Sequence, residues 1–269
     1  MGSFTALLDD YIESLVQDDV CDMKISVLKS STNNIMPIFK REFVSFFNSP
    51  IAYIFVAVFL VVTNWLFFTR FFLTGQANMR EWFGLIPWLF LLLGPAITMR
   101  AWAEEKKTGT VEFLLTLPIR DWEVVIAKFL SALVFLVVVL AFSLTIPITI
   151  AQLGDIDLGV IIAGYAGSIL MGAMYLSLGL LISSFTRNQI VSFLFSLSVL
   201  FALFIIGSNN VLSFIQGPLA SVMQFLSTAT HFNSIIKGIF DSRDIIYYIS
   251  FTALFIYLNV QSIGSRNWR

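Results

Sequence analysis

The sequence predicts an all-α polytopic membrane protein, and three observations carry that prediction. First, 58% of the 269 residues are hydrophobic and only 12% are charged, with a mean hydropathy of +0.87. A water-soluble domain would leave much of that apolar surface facing water. Second, six apolar segments reach the length of about twenty residues that a membrane-crossing helix needs. They are 51–72, 82–99, 123–151, 160–184, 189–207 and 244–263. Third, the basic residues divide unevenly between alternate connections, as the positive-inside rule requires.

The chain opens with an acidic extension, residues 1–35, containing Asp9, Asp10, Glu13, Asp18, Asp19 and Asp22. It is too polar to supply a core and is expected to be a weak surface helix or disordered. It also lacks the apolar centre of a cleavable signal peptide, and Ala6 breaks the myristoylation pattern. Residues 36–264 are expected to form one membrane domain, followed by the short tail 265–269.

From Pro37 to Ser49, Phe39, Phe43, Phe46 and Phe47 alternate with Lys40, Arg41 and Glu42. At helical spacing this gives an aromatic face and a charged face, the pattern of a helix lying in the membrane interface. Asn48-Ser49-Pro50 then breaks the helix and starts the first span. In the third span, Pro147 is expected to kink the helix near its far end. Gly164, Ser168 and Gly172 recur every four residues in the fourth span, and Ser192 and Ser196 do likewise in the fifth. Such small residues let helices approach closely, mainly within one subunit.

The stretch from Ser208 to Arg243 is too long and too apolar for an ordinary loop. Its pieces are of helix length but too short to cross, which predicts re-entrant or interfacial helices before the last span. His231, the lone histidine, falls here and is expected to be a hydrogen-bonded structural residue.

The least apolar part of the middle runs from Arg100 to Lys128. Arg100, Lys106, Lys107, Arg120 and Lys128 mark it as a cytoplasmic loop, with Trp102 and Trp122 at the membrane–water interface. Of sixteen basic residues, only Arg70, Arg80, Lys237 and Arg243 fall on the other side, so both termini are expected inside. Within the loop, Gly109 is expected at a turn with positive φ. Thr110 then caps a short helix, Glu112 sits in its first turn, and Val111, Leu114 and Leu115 share one face. Pro118 ends that helix, and Asp121 caps the next. The charges of Glu104, Glu105, Lys106 and Lys107 hold the loop in water, so its apolar face reads as a protein contact.

Several chemistries are missing from the sequence. It has no phosphate-binding Gly-x-x-x-x-Gly-Lys-Ser/Thr loop, no His-Glu-x-x-His and no Gly-x-Ser-x-Gly. One cysteine and one histidine exclude thiolate or multi-histidine metal sites. Ionisable groups avoid the span centres, which argues against ion-coupled carriage and intramembrane catalysis. No catalytic, cofactor-binding or metal-ligating residue is assigned.

The same residues carry a resemblance. Lys40-Arg41-Glu42, Asn48-Ser49-Pro50-Ile51-Ala52-Tyr53, the run from Met99 to Glu112, Leu114-Leu115-Thr116-Leu117-Pro118 and Asp121-Trp122-Glu123 through Lys128 resemble the membrane subunit of type-2 ABC exporters. So do Ser184-Phe185-Thr186-Arg187-Asn188-Gln189 and the segment from His231 to Asp244. Within that family the chain is most similar to the gliding-motility-associated and copper-enzyme-maturation permeases, from about Met36 to its end.

The resemblance implies a six-helix permease of the bacterial inner membrane that pairs with a second permease, identical or similar. It also implies a separate P-loop ATPase subunit and no role for nucleic acid; an auxiliary periplasmic or membrane subunit is an optional further partner. The coupling contact with the ATPase maps onto Glu104, Glu105, Lys107, Gly109, Thr110, Val111, Leu114 and Leu115, in and just before the coupling helix. Lys40, Arg41 and Glu42 map onto the interfacial helix, and Arg187 and Asn188 onto a second cytoplasmic loop. The implied function is ATP-driven export; the alternative is a non-transporting scaffold or force-transmitting anchor driven by the same ATPase. The cargo is not implied.

In a Cys21→Ser background, single cysteines at Gln76, Asp155 and Asn209 are expected to react with a membrane-impermeant maleimide added to intact cells. Thr108→Cys is expected to stay unlabelled; its modification from outside would contradict the topology.

Overall fold

The computed structural model describes residues 35–74, 78–110, 119–152, 157–213, 217–238 and 241–264. The extension before residue 35, the tail and the loop positions Val111, Leu114 and Leu115 lie outside them. Twelve helices are described. Helix α1 covers 35–48, and α2 to α4 are Pro50–Thr74, Met79–Thr98 and Ala103–Thr108. Helices α5 to α8 are Asp121–Ser143, Thr145–Ala151, Leu158–Phe185 and Gln189–Ile205. The short α9 (Asn209–Leu212), α10 (Pro218–Leu226) and α11 (Thr228–Ile236) precede the last helix, α12 (Ser242–Gly264).

Local signals set several of these boundaries. Asn78, Asp157 and Asn188 start α3, α7 and α8 by accepting backbone N–H groups of the first turn. Pro147 cannot donate to the carbonyl four residues back, and the expected kink appears there as the break at Leu144 between α5 and α6. One expected cap moves. Helix α5 begins at Asp121 itself, and Arg120 N–H is met by Glu123 Oε2 at 3.4 Å.

Helix α7 is the spine. It packs against α3, α5, α8, α11 and α12, and the small residues read from its sequence make room for those neighbours. A Cβ on Gly164 would stand 2.5 Å from the Phe83 ring of α3, and one on Gly172 would stand 2.6 Å from Leu136 of α5. The stripe therefore serves packing inside the chain. Phe83 is held in turn by Trp82 and Tyr165, with ring centroids at 4.8 and 5.3 Å, so it has little freedom to give way.

Hydrogen bonds fix which helix ends meet. Ser183, near the end of α7, accepts from Trp102 and Ala103 at the start of α4, and Ser184 pairs with Ser262 near the end of α12. Helices α7 and α12 thus run the same way, and α1, α4, the start of α5 and the end of α3 gather at one pole. We call it the loop pole. Arg70, Arg80, Lys237 and Arg243 sit near the opposite helix ends, so the structure segregates the charges as the sequence does.

Five helices among the described residues are long and apolar enough to cross a membrane: Ala52–Leu73, Met79–Thr108, Asp121–Ala151, Leu158–Phe185 and Ser242–Gly264. The expected span 189–207 is shorter than read. Helix α8 has 17 residues, about 25 Å at 1.5 Å per residue. It ends where Ser227 Oγ donates to the Phe204 carbonyl at 3.3 Å. Beyond that level the α10–α11 hairpin takes over.

The apex of the hairpin meets α7 partway along, where Tyr175 pairs with Thr228 at 3.0 Å. Its second arm then follows α7 outward, Ile235 against Gly167 and Gly238 near Val160. The two short helices stand where helix-length pieces too short to cross are expected before the last span. Replacing Gly164 by Val overpacks the α3–α7 contact and is expected to cost about 1–3 kcal/mol, read as a lower thermal midpoint in detergent.

Candidate functional site

At the loop pole a lysine is buried where the sequence reading places it in a cytoplasmic loop. Lys128 lies in the second turn of α5 with its side chain only 1% exposed. Its ammonium donates to Glu42 Oε1 at 3.1 Å, Glu105 Oε1 at 2.8 Å and the Ala101 carbonyl at 2.9 Å. Those three bonds use every donor that an ammonium has. The charge also stands 4.8 Å from the centre of the Trp102 ring, a cation–π contact. Trp102 is therefore a core residue at 1% exposure, correcting its expected place at the membrane interface.

Arg41 closes the cluster from the solvent side, with Nη2 2.9 Å from Glu42 Oε1 and 3.1 Å from Glu105 Oε1. Two cations and two carboxylates thus share two oxygens. The elements that bring them together are α1, α4 and α5. Helix α1 turns Ile38, Phe39, Glu42, Phe43 and Phe46 inward, and Phe46 stacks on Phe135 of α5 at 4.9 Å. Glu42 is accordingly on the packed face, not the charged face to which the sequence reading assigns it. Its i, i+3, i+4 spacing from the inward phenylalanines was the available signal.

Burial pushes the Glu42 carboxyl up, but Lys128 and the bonds from Arg41 and Lys128 outweigh it, holding the carboxyl below its ordinary value of 4.5. The bond to Glu42 raises the Arg41 guanidinium above its ordinary value. Both groups stay ionised at neutral pH.

The remaining predicted residues divide. Glu105 is tied inside the cluster, whereas Glu104, Lys107, Gly109 and Thr110 are exposed on the outer side of α4. Lys106 anchors α4 to α7 by donating to the Ser184 carbonyl. Gly109 has φ +74°, the left-handed turn expected of it. Thr110 Oγ1 turns back to the Glu105 carbonyl at 3.3 Å. Arg187 and Asn188 are exposed between α7 and α8 at the same pole. Lys40 is exposed on α1.

The opposite pole holds a second polar knot, around His231. Its Nδ1 lies 2.6 Å from Asp244 Oδ1 and its Nε2 lies 2.9 Å from the Phe225 carbonyl. With Tyr247 donating to the Leu226 carbonyl at 2.7 Å and Thr230 to that of Gln224 at 2.8 Å, side chains satisfy the end of α10. The histidine is the hydrogen-bonded structural residue expected. Its partner across thirteen positions was not visible in sequence.

A bundle of long apolar helices, with its ionised groups drawn to the two poles, defines a multi-pass membrane protein. A family model described as ABC-2 family transporter protein matches residues 72–263, most of the chain, which therefore belongs to that family. It is a permease component of an ABC transporter. No curated protein matches the chain.

The cluster has a signed pH dependence. Glu42 contributes stability that is fully present above the ordinary carboxyl value of 4.5 and is lost as pH falls through its lowered folded value. Thermal midpoints measured from pH 6 down to about pH 3 are expected to fall more steeply for the native chain than for Glu42→Gln. Parallel curves would contradict the assignment.

Proposed function

We propose that this chain is the permease subunit of an ATP-driven export system, with no catalysis of its own and with ATP hydrolysis supplied by a separate P-loop ATPase. The observation that carries the reading is the Lys128 cluster. It joins α4, the element leading into the loop, to a helix of the bundle and to α1. A push on the loop would then be felt by three elements together and not absorbed by one flexible connection. Glu104, Lys107, Gly109 and Thr110 stand exposed beside residues 111–118, where we place the docking helix and its apolar residues Val111, Leu114 and Leu115.

In this reading the loop pole faces the cytoplasm of a bacterial cell, and the chain makes six passes through the inner membrane. The direction of α7 and α12 supports six passes. Both end at the loop pole, so the intervening chain must return to the far pole through α8 and the hairpin. Arg41 on α1 and Ser262 on α12 lie at that same pole, which supports both termini being cytoplasmic. A second permease, identical or similar, would supply the other wall of the path. Within the family we place the chain nearest the gliding-motility-associated and copper-enzyme-maturation permeases, on the motif stretches 40–53 and 99–112.

Leu114→Asp would put a charge into the apolar cleft of the partner, at a cost of several kcal/mol, about 3 or more. The ATPase is expected to fail to co-purify with this variant while the permease still inserts and shows its native thermal midpoint. Full retention of bound, active ATPase would remove the loop as the docking element.

A further inference from the structure

Beside the Lys128 cluster, the ends of α1, α2, α3 and α5 do not close on one another. They leave a cavity of about 350 Å³, within the size range of small-ligand sites. Its wall is sorted by polarity. Buried Ile97, Phe135 and Leu180, with half-buried Phe46 and Phe55, make one part apolar; Ser45, Ser49, Arg100 and Glu104, all partly or well exposed, make the other polar.

The charges in the wall select the ligand. Arg41, Arg100 and Lys128 face Glu42, Glu104 and Glu105, so the formal sum is zero and a multiply charged anion has no net attraction. Four of the six are spent in the cluster. Arg100 and Glu104 remain, one helical turn apart, with N···O at 3.8 Å, beyond hydrogen-bond range. Arg100 Nη1 donates to Ser49 Oγ at 2.5 Å, while its Nε has no hydrogen-bond partner among the described residues. A guanidinium has five donors and binds phosphate in a forked geometry. A loosely joined cation and carboxylate at the mouth of an apolar chamber complement a compact zwitterion that carries a hydrocarbon tail.

We propose that this cavity is a phospholipid site that takes a phosphoethanolamine headgroup. The phosphodiester oxygens sit on Arg100 and the Ser45 and Ser49 hydroxyls, and the ammonium donates to Glu104. An acyl chain leaves past Ala52 and Phe55 onto α2, whose span is only 17% buried and exposes Tyr53, Ile54 and Val58 along the way. The site lies where helix ends meet the membrane surface, so the headgroup is within reach of a bilayer lipid. The inference rests on the chain spanning a membrane and not on the docking of an ATPase.

The test uses the full chain alone in detergent, delipidated and titrated with phosphatidylethanolamine, phosphatidylcholine or phosphatidylglycerol, with lipid adducts counted by native mass spectrometry. Phosphatidylethanolamine is expected to bind several-fold more tightly than the other two. Arg100→Gln is expected to weaken it about tenfold, and Glu104→Gln to remove the preference over phosphatidylcholine, whose head has no N–H. Arg80→Gln, at the opposite pole, is expected to change nothing.

Should Arg100→Gln fail to fold, Ala52→Phe fills the cavity and leaves the polar mouth intact; it is expected to lower occupancy as well. Undiminished binding in Arg100→Gln or Ala52→Phe overturns the site, and so does equal retention of the three lipids. Equally tight binding of water-soluble glycerophosphoethanolamine overturns the lipid assignment, and a cavity that takes water only overturns the whole proposal. None of these results bears on whether the ATPase docks at residues 111–118, so the two readings fail separately.

Discussion

The loop pole depends on the burial of one ammonium group. Removing a lysine charge from water costs several kcal/mol, roughly 3–5 when a partner is missing, and Lys128 is 1% exposed. Such a charge persists only if its surroundings satisfy it completely. Glu42, Glu105 and the Ala101 carbonyl do so, and the Trp102 face adds an electrostatic contact. The partners come from two stretches of chain, Glu42 from α1 and Ala101, Trp102 and Glu105 from the segment that opens α4. Movement of α1 or α4 relative to α5 would strip the lysine of a partner, so the three are coupled by the cost of exposing that charge unpaired.

The rest of the bundle supplies a frame against which such coupling has an effect. Helix α7 runs its whole length against neighbours, because Gly164 and Gly172 leave no side chain in the way of Phe83 and Leu136. It meets the loop pole through Ser183 and Ser184 and the hairpin through Tyr175. The shortness of α8 follows from the same arrangement. At its outer end it meets the α10–α11 hairpin, where Thr230, His231 and Tyr247 satisfy the carbonyls that end α10. The break in the helix leaves none of these carbonyls unmet.

Most of the helical architecture was legible in the sequence, because membrane spans announce themselves by length and apolarity. Pro147 told of the break at Leu144, and Gly109 of the left-handed turn after α4. The site was legible only in part. From sequence Glu104 and Glu105 read alike, whereas the fold exposes the first and ties the second to Lys128. Nothing local could distinguish them, since the partners of Glu105 are 64 and 23 residues away. Trp102 and Lys128 misled for a related reason. An indole and an amine near a span end ordinarily face the interface, but here each is the other's burial partner. His231 and Asp244 pair from α11 to α12, a meeting that periodicity does not specify.

The central claim is that Glu105 and Lys128 fasten the loop to the bundle. The most direct measurement is a double-mutant cycle of Glu105→Gln and Lys128→Met, with unfolding free energies taken in detergent. A fastening contact predicts a coupling energy of about 1–3 kcal/mol, with the double variant more stable than the sum of the single losses implies. A coupling within about 0.3 kcal/mol of zero would show the two residues acting independently and would contradict the account.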